Sequence, residues 1–228
     1  MTVSLRLFAD RRAAGRELAR AVGRLRLSAP VVVLGLPRGG VPVAFEVARA
    51  LHAPLDVMVV RKVGMPGQPE LALGAIAAGA VTVRQPLPFP GYGPDAEEFA
   101  ALAARERGEL ERREQLYRAG RAPLELTGKT VVLVDDGLAT GATMLAAVRA
   151  ARKAGAAAVV AAAPVASGEA AALIGAECDS VAIVEIPPAL RAVGEWYEDF
   201  GQTEDREVCE LLRESARVHG GSPGATAS

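Results

Sequence analysis

The stretch Val131 to Thr143, VVLVDDGLATGAT, joins a four-residue apolar run to two adjacent carboxylates and a loop of small and hydroxyl-bearing residues. An apolar run without alternation predicts a central parallel strand covered on both faces. Its carboxyl end is where open α/β sheets bind ligands. Successive strand side chains point to opposite sides, so at least one of Asp135 and Asp136 must look into the crevice beyond the sheet. A carboxylate there can accept hydrogen bonds from vicinal sugar hydroxyls or hold a hydrated Mg²⁺. After Gly137 and Leu138, the run Ala139, Thr140, Gly141, Ala142, Thr143 leads into the apolar helix MLAAVRAARKAG. Small residues let backbone N–H groups approach a ligand closely, and a helix start adds its positive dipole end; together they suit a phosphate monoester. A plainer reading of the same residues is a helix capped by Thr140 or Thr143, with both acids merely exposed at a strand end.

This stretch resembles the phosphoribosyl-diphosphate (PRPP) binding motif of the type I phosphoribosyltransferases. The resemblance implies that Asp135 and Asp136 hold the ribose 2′- and 3′-hydroxyls and that Ala139, Thr140, Gly141, Ala142 and Thr143 wrap the 5′-phosphate. Val31 to Gly40, VVVLGLPRGG, resembles the family's pyrophosphate loop, and Val57 to Lys62, VMVVRK, resembles a strand ending in a basic pair. Arg38, Gly39, Gly40, Arg61 and Lys62 are thereby expected at the pyrophosphate. These segments also make chemical sense alone, because a ligand with two anionic ends needs cations and backbone donors at two places. Pro37 and the pair Gly39-Gly40 suggest an unusual backbone path, including positive φ. The resemblance covers roughly Val31 to Val184.

One position narrows the acceptor. In the branch acting on 6-oxopurines an acid precedes the loop's first Thr, whereas here the residue is Ala139. Glu70 and Asp199 remain as candidates for a proton-handling acid, Glu70 being read also as a solvated first-turn residue of a helix. Trp196, Tyr197 or Phe200, in the stretch 186 to 208, could stack on an aromatic base as part of a hood; alternatively they anchor the C-terminal helix.

The chain has 228 residues, 50% of them hydrophobic and 23% charged, and a formal net charge of -1. That balance fits one enzyme-sized α/β domain and suggests neither a nucleic-acid nor a membrane surface. Cys178 and Cys209 lack CxxC spacing and read as reduced thiols of a cytoplasmic protein. No segment reaches the ~20 apolar residues of a membrane span. His52 and His219 offer no basis for a histidine triad or metal site.

Strands and helices alternate, the pattern of a parallel sheet with flanking helices. Asp10 is placed to cap a helix to about Leu27. Then come strand Val31–Leu36, helix Val41–Leu51, strand Leu55–Val60 and an apolar segment Leu73–Val83 broken by Gly79. A proline-rich loop, 85–94, precedes a charged helix from Asp95 to about Arg118, with Phe99, Leu102, Leu110 and Tyr117 on one stripe. Strands Ala157–Pro164 and Ser180–Ile186 follow the motif. A single domain is expected over 1–217, with a small hood from 1–27, from 186–208 or from both, and a disordered tail at 218–228. The expected activity is Mg²⁺-dependent transfer of ribose 5-phosphate from PRPP to a nitrogenous base by a homo-oligomeric enzyme, with Asp135, Asp136, Arg38 and Lys62 as its catalytic residues and Asp135 and Asp136 the metal-holding pair. The alternative is a non-catalytic PRPP or nucleotide sensor of the same fold.

Overall fold

A computed structural model of the chain describes the backbone of residues 7–78, 81–84 and 93–219, and their side chains apart from 68–72 and 219. The VVLV run lies within a strand that is buried along its whole length, because both faces of its sheet are covered by helices. Thirteen of the elements can be followed in chain order. They are α1 (Arg11–Val22), β1 (Val31–Gly35), α2 (Gly40–Leu51), β2 (Leu55–Val57), β3 (Val60–Met65), β4 (Gln68–Ala77), β5 (Val81–Arg84), α3 (Ala96–Arg118), β6 (Thr130–Val134), α4 (Ala142–Lys153), β7 (Ala158–Val165), α5 (Gly168–Gly175) and β8 (Ser180–Glu185). One turn of 3-10 helix, Val193–Trp196, and α6 (Asp205–His219) complete the chain.

The main sheet has five parallel strands in the order β2-β1-β6-β7-β8. From β1 the chain moves outward to β2 on one side, whereas from β6 it moves through β7 to β8 on the other. The strand order therefore reverses between β1 and β6, and the carboxyl ends of these two neighbours border the crevice where such sheets hold ligands. Pairing is residue for residue, Val31 with Thr130 through Gly35 with Val134. Alternation sorts the motif strand between two cores. Val132 and Val134 face the cluster with α1, α2, α3 and α6, while Val131 and Leu133 face the cluster with α4 and α5.

Several expectations need correction. The strand read as Leu55–Val60 stops at Val57, and Met58 N–H bonds Gly35 C=O at 3.0 Å before the chain turns away. β3 then opens a separate antiparallel sheet, β3-β4-β5, which packs on α3 and α4. Strong apolar content on both sides of Val57 concealed that change of sheet. Glu70 lies on β4, not in the first turn of a helix, and its side chain is outside the described residues. Gly79 and residues 85–92 of the proline-rich stretch are also outside them. The first helix ends at Val22 with Gly23 as its C-cap, five residues before Leu27. α5, absent from the sequence reading, is capped by Ser167, whose hydroxyl accepts from Ala170 N–H at 3.0 Å. The final helix extends to His219, so 218–219 are not tail; 220–228 are outside the described residues. By contrast, Asp95 caps α3 in a reciprocal box with Glu98, and Phe99, Leu110 and Tyr117 are buried as the stripe required.

Candidate functional site

The loops after β1 and β6 meet because their strands are hydrogen-bonded neighbours, and Leu36 N–H continues the ladder to Val134 C=O at 2.8 Å. The glycines of PRGG are needed here for space. A Cβ on Gly39 would overlap the Asp136 carboxylate, and one on Gly40 would lie 2.6 Å from Val134 C=O. Neither uses positive φ: Gly39 sits at −61°, Gly40 begins α2, and the unusual path is a cis Pro37–Arg38 peptide. The positive φ expected from the sequence is therefore not what these glycines supply; they supply room for the acid pair.

Asp135 accepts from the N–H of Asp136 at 2.9 Å. Asp136 is paired with Arg11, whose Nε lies 2.8 Å from Oδ2. Burial pushes the Asp135 carboxyl well above its ordinary range, and the neighbouring Asp136 charge adds to the effect. Burial raises Asp136 as well, with the Arg11 hydrogen bond opposing it. The charge of Lys62, on β3, draws Asp135 partly back down. Arg61, the preceding residue on the strand, points elsewhere: its Nε and Nη2 donate to Glu106 of α3 at 3.0 and 2.6 Å. The structure thus separates a basic pair that the sequence treated as one unit, as strand alternation demands.

The loop that follows the acids is held by the β7–α5 connection. Leu138 N–H bonds Val165 C=O at 2.9 Å, and the Ser167 hydroxyl donates to Ala139 C=O at 2.8 Å. Gly141 takes φ +75°, a conformation suited to glycine, and starts α4 without a side-chain cap. Thr140 Oγ1 lies 3.5 Å from Ala142 N, beyond a normal hydrogen bond, so the first amides of α4 stay available. Thr140 is exposed and Thr143 half-buried at that helix start, which joins the acid pair at one end of the sheet.

Arg38 leans toward α6, its Nη1 lying 4.0 Å from Asp205 Oδ1. Trp196 is only 7% exposed and packs with Phe8, Ala14, Val165 and Tyr197 in a small separate core. The ring is thus anchored against the N-terminal segment, α1 and β7, and not against the C-terminal helix, which the sequence reading offers as the alternative to base stacking. Phe200, 36% exposed, is the aromatic with accessible surface. Asp199 bonds the N–H of Gly201 at 2.9 Å and so spends one oxygen on its own turn. Arg11 was missed by the sequence reading. Two arginines directly after a helix cap oppose the helix dipole, which was a usable sign that both serve acids elsewhere. Arg11 reaches Asp136 and Arg12 reaches Glu46 at 2.7 Å.

The N-terminal segment and the 196–199 segment form one unit. Phe8 N–H donates to Trp196 C=O at 2.8 Å and Phe8 C=O accepts from Glu198 N–H at 2.8 Å, while Tyr197 donates its hydroxyl to the main-chain oxygen of Asp136 at 2.6 Å. Among the described residues no group of three or more His, Cys, Asp or Glu side chains could hold a metal ion, and no helix is long and apolar enough to cross a membrane.

Comparison with known proteins identifies the family. Proteins from Mycobacterium tuberculosis strains CDC 1551 and H37Rv, named provisionally as phosphoribosyl transferases, are each 47% identical over 213 residues, which is 93% of this chain and 48% of theirs. The chain therefore spans about half the length of these relatives. The crystal structure of TT1426 from Thermus thermophilus superposes with a TM-score of 0.78 at 47% identity, covering 91% of this chain and 98% of that one. With the phosphoribosyl transferase domain matched over residues 8–189, the chain belongs to the phosphoribosyl transferase domain family.

Proposed function

We propose that this protein transfers the ribose 5-phosphate group of PRPP to a nitrogenous base and releases pyrophosphate. The observation that carries the reading is the convergence of PRGG, the acid pair and the uncapped start of α4 on the crevice where the strand order reverses. A sugar with an anion at each end fits that layout. Asp135 and Asp136 accept from the ribose hydroxyls, the amides of 141–143 with Thr140 and Thr143 take the 5′-phosphate, and Arg38, Lys62 and the PRGG amides face the pyrophosphate.

Chemically, the bond from C1′ to the pyrophosphate oxygen breaks as the acceptor nitrogen bonds to C1′ and gives up its proton to the departing pyrophosphate or to water. C1′ is oxocarbenium-like between the two events, so catalysis is largely positioning and charge stabilisation. The site fits Mg²⁺ only as an ion shared with the substrate. Two carboxylates are too few for a closed protein cage, yet hard oxygen donors beside a diphosphate suit this metal, which keeps most of its waters. Asp135 and Asp136 would hold it, directly or through water, and when bound it would spread the charge of the departing pyrophosphate.

The test is pyrophosphate release from PRPP measured against a panel of purine, pyrimidine and pyridine bases. Release that depends on one base class supports the reading. PRPP binding without release for any base would make the protein a sensor, a reading that Ala139 in place of an acid also accommodates.

A further inference from the structure

Arg11 ties three separate segments together at the acid pair. It is the first residue of α1, held there by Asp10, which accepts from Ala13 N–H at 2.6 Å. Its side chain is only 12% exposed. Nε donates to Asp136 Oδ2 at 2.8 Å, Nη1 donates to Gly201 C=O at 2.6 Å, and the guanidinium carbon lies 3.9 Å from the centre of the Phe200 ring. Tyr197 bonds the main chain of the same aspartate, and Gly39 approaches its carboxylate so closely that no Cβ would fit. Asp136 is therefore fixed on several sides, with Oδ2 engaged by Arg11.

A bridging guanidinium of this kind orients a carboxylate as well as neutralising it. Its planar fork cannot swing without breaking the Gly201 bond or leaving the Phe200 ring. The cost of ordering Asp136 is thus met before any ligand arrives, the condition under which a hydrogen bond to a ligand hydroxyl contributes most. Resting on the sugar-phosphate reading of the crevice, we propose that Arg11 is a positioning residue that presents Asp136 to a vicinal diol and so sets the preference for a ribose over a 2-deoxyribose phosphate.

Calorimetric titration with ribose 5-phosphate, 2-deoxyribose 5-phosphate and pyrophosphate tests this. Wild type is expected to prefer ribose 5-phosphate. Arg11→Gln should weaken ribose 5-phosphate about tenfold, the effect of one hydrogen bond to a charged group, and leave the other two ligands nearly unchanged. Arg11→Lys keeps the cation but cannot span Asp136 and Gly201, so it should show the same selective loss and serves if Arg11→Gln fails to fold. Unchanged ribose 5-phosphate affinity in a folded variant, or equal losses for all three ligands, overturns the positioning role. Absence of sugar-phosphate binding in wild type would overturn the reading of the crevice itself, and the proposal with it.

Discussion

Tyr117 donates its hydroxyl to Asp205 Oδ1 across 2.6 Å, joining the last turn of α3 to the first residue of α6. The same oxygen lies 4.0 Å from Arg38 Nη1, so a wholly buried phenol steadies the acid that faces Arg38. Burial and the Asp205 charge both push the phenol upward, which keeps it a donor throughout the neutral range. Tyr117→Phe should cost about 1.5 kcal/mol of stability in urea unfolding, the low end for a bond to a charged acceptor because Asp205 is partly solvated. Arg38→Ala should weaken pyrophosphate binding and leave ribose 5-phosphate binding nearly intact; equal losses would refute the division of the two anionic ends.

Neutralising the acid pair separates binding from folding. Asp135→Asn with Asp136→Asn should weaken PRPP binding in Mg²⁺ about a hundredfold or more, since each lost bond to a charged group is worth roughly 1.5–3 kcal/mol. The melting temperature is expected to change little, because relief of the Asp135–Asp136 repulsion offsets loss of the Arg11–Asp136 ion pair. A folded double variant with wild-type PRPP affinity would refute the ribose-holding role.

The two glycine devices differ, and so should their substitutions. Gly39→Ala drives a methyl into the Asp136 carboxylate and should abolish ribose 5-phosphate binding along with about 1–3 kcal/mol of stability. Gly141→Ala meets no closer contact than 3.4 Å but must adopt φ +75°, which costs roughly 1–2 kcal/mol. Calorimetry and thermal melts on the two variants distinguish steric exclusion from backbone strain.

Trp196 and Phe200 should exchange the roles their ring sizes suggest. Trp196→Ala empties a packed cluster and should cost about 3–5 kcal/mol. Phe200→Ala is expected to leave stability nearly unchanged and to raise the KM for the acceptor base. A W196A protein with wild-type melting and selectively weak acceptor binding would restore the stacking role to the tryptophan.

Cys178 supplies a pH test. Burial raises its thiol from 9.0 to about 11, so deprotonation, and with it alkylation, is delayed by about two pH units. In a Cys209→Ala background, iodoacetamide labelling at pH 8 should run about a hundredfold slower than for a free thiol and accelerate toward pH 11.

The main sheet was legible because its strands are unbroken apolar runs, and only a doubly covered parallel sheet wants VVV at β1 and VVLV at β6. The acid pair and its glycine loop were legible because strand and helix bracket them within a dozen residues. What escaped notice depends on long-range approach. Arg11 meets Asp136 across 125 residues, and no local period marks such a pair. Arg61 and Lys62 read as one cationic tip until the antiparallel sheet sent them to different neighbours. Trp196 was weighed by its chemistry, whereas the Phe8 pairing that buries it is visible only in three dimensions.

β1 and β6 are bonded neighbours, yet between them the chain adds β2 at the edge of the sheet and builds the separate β3-β4-β5 sheet and α3. That excursion is spliced into a seam whose two sides are already locked in register. Insertions or deletions within the β3-β5 sheet or α3 would remodel what stands above the crevice, including the reach of Lys62, while the spacing of PRGG to the acid pair stayed fixed by the ladder. The fold thereby divides a constant anchoring floor from an interchangeable superstructure that can be edited without rebuilding the first.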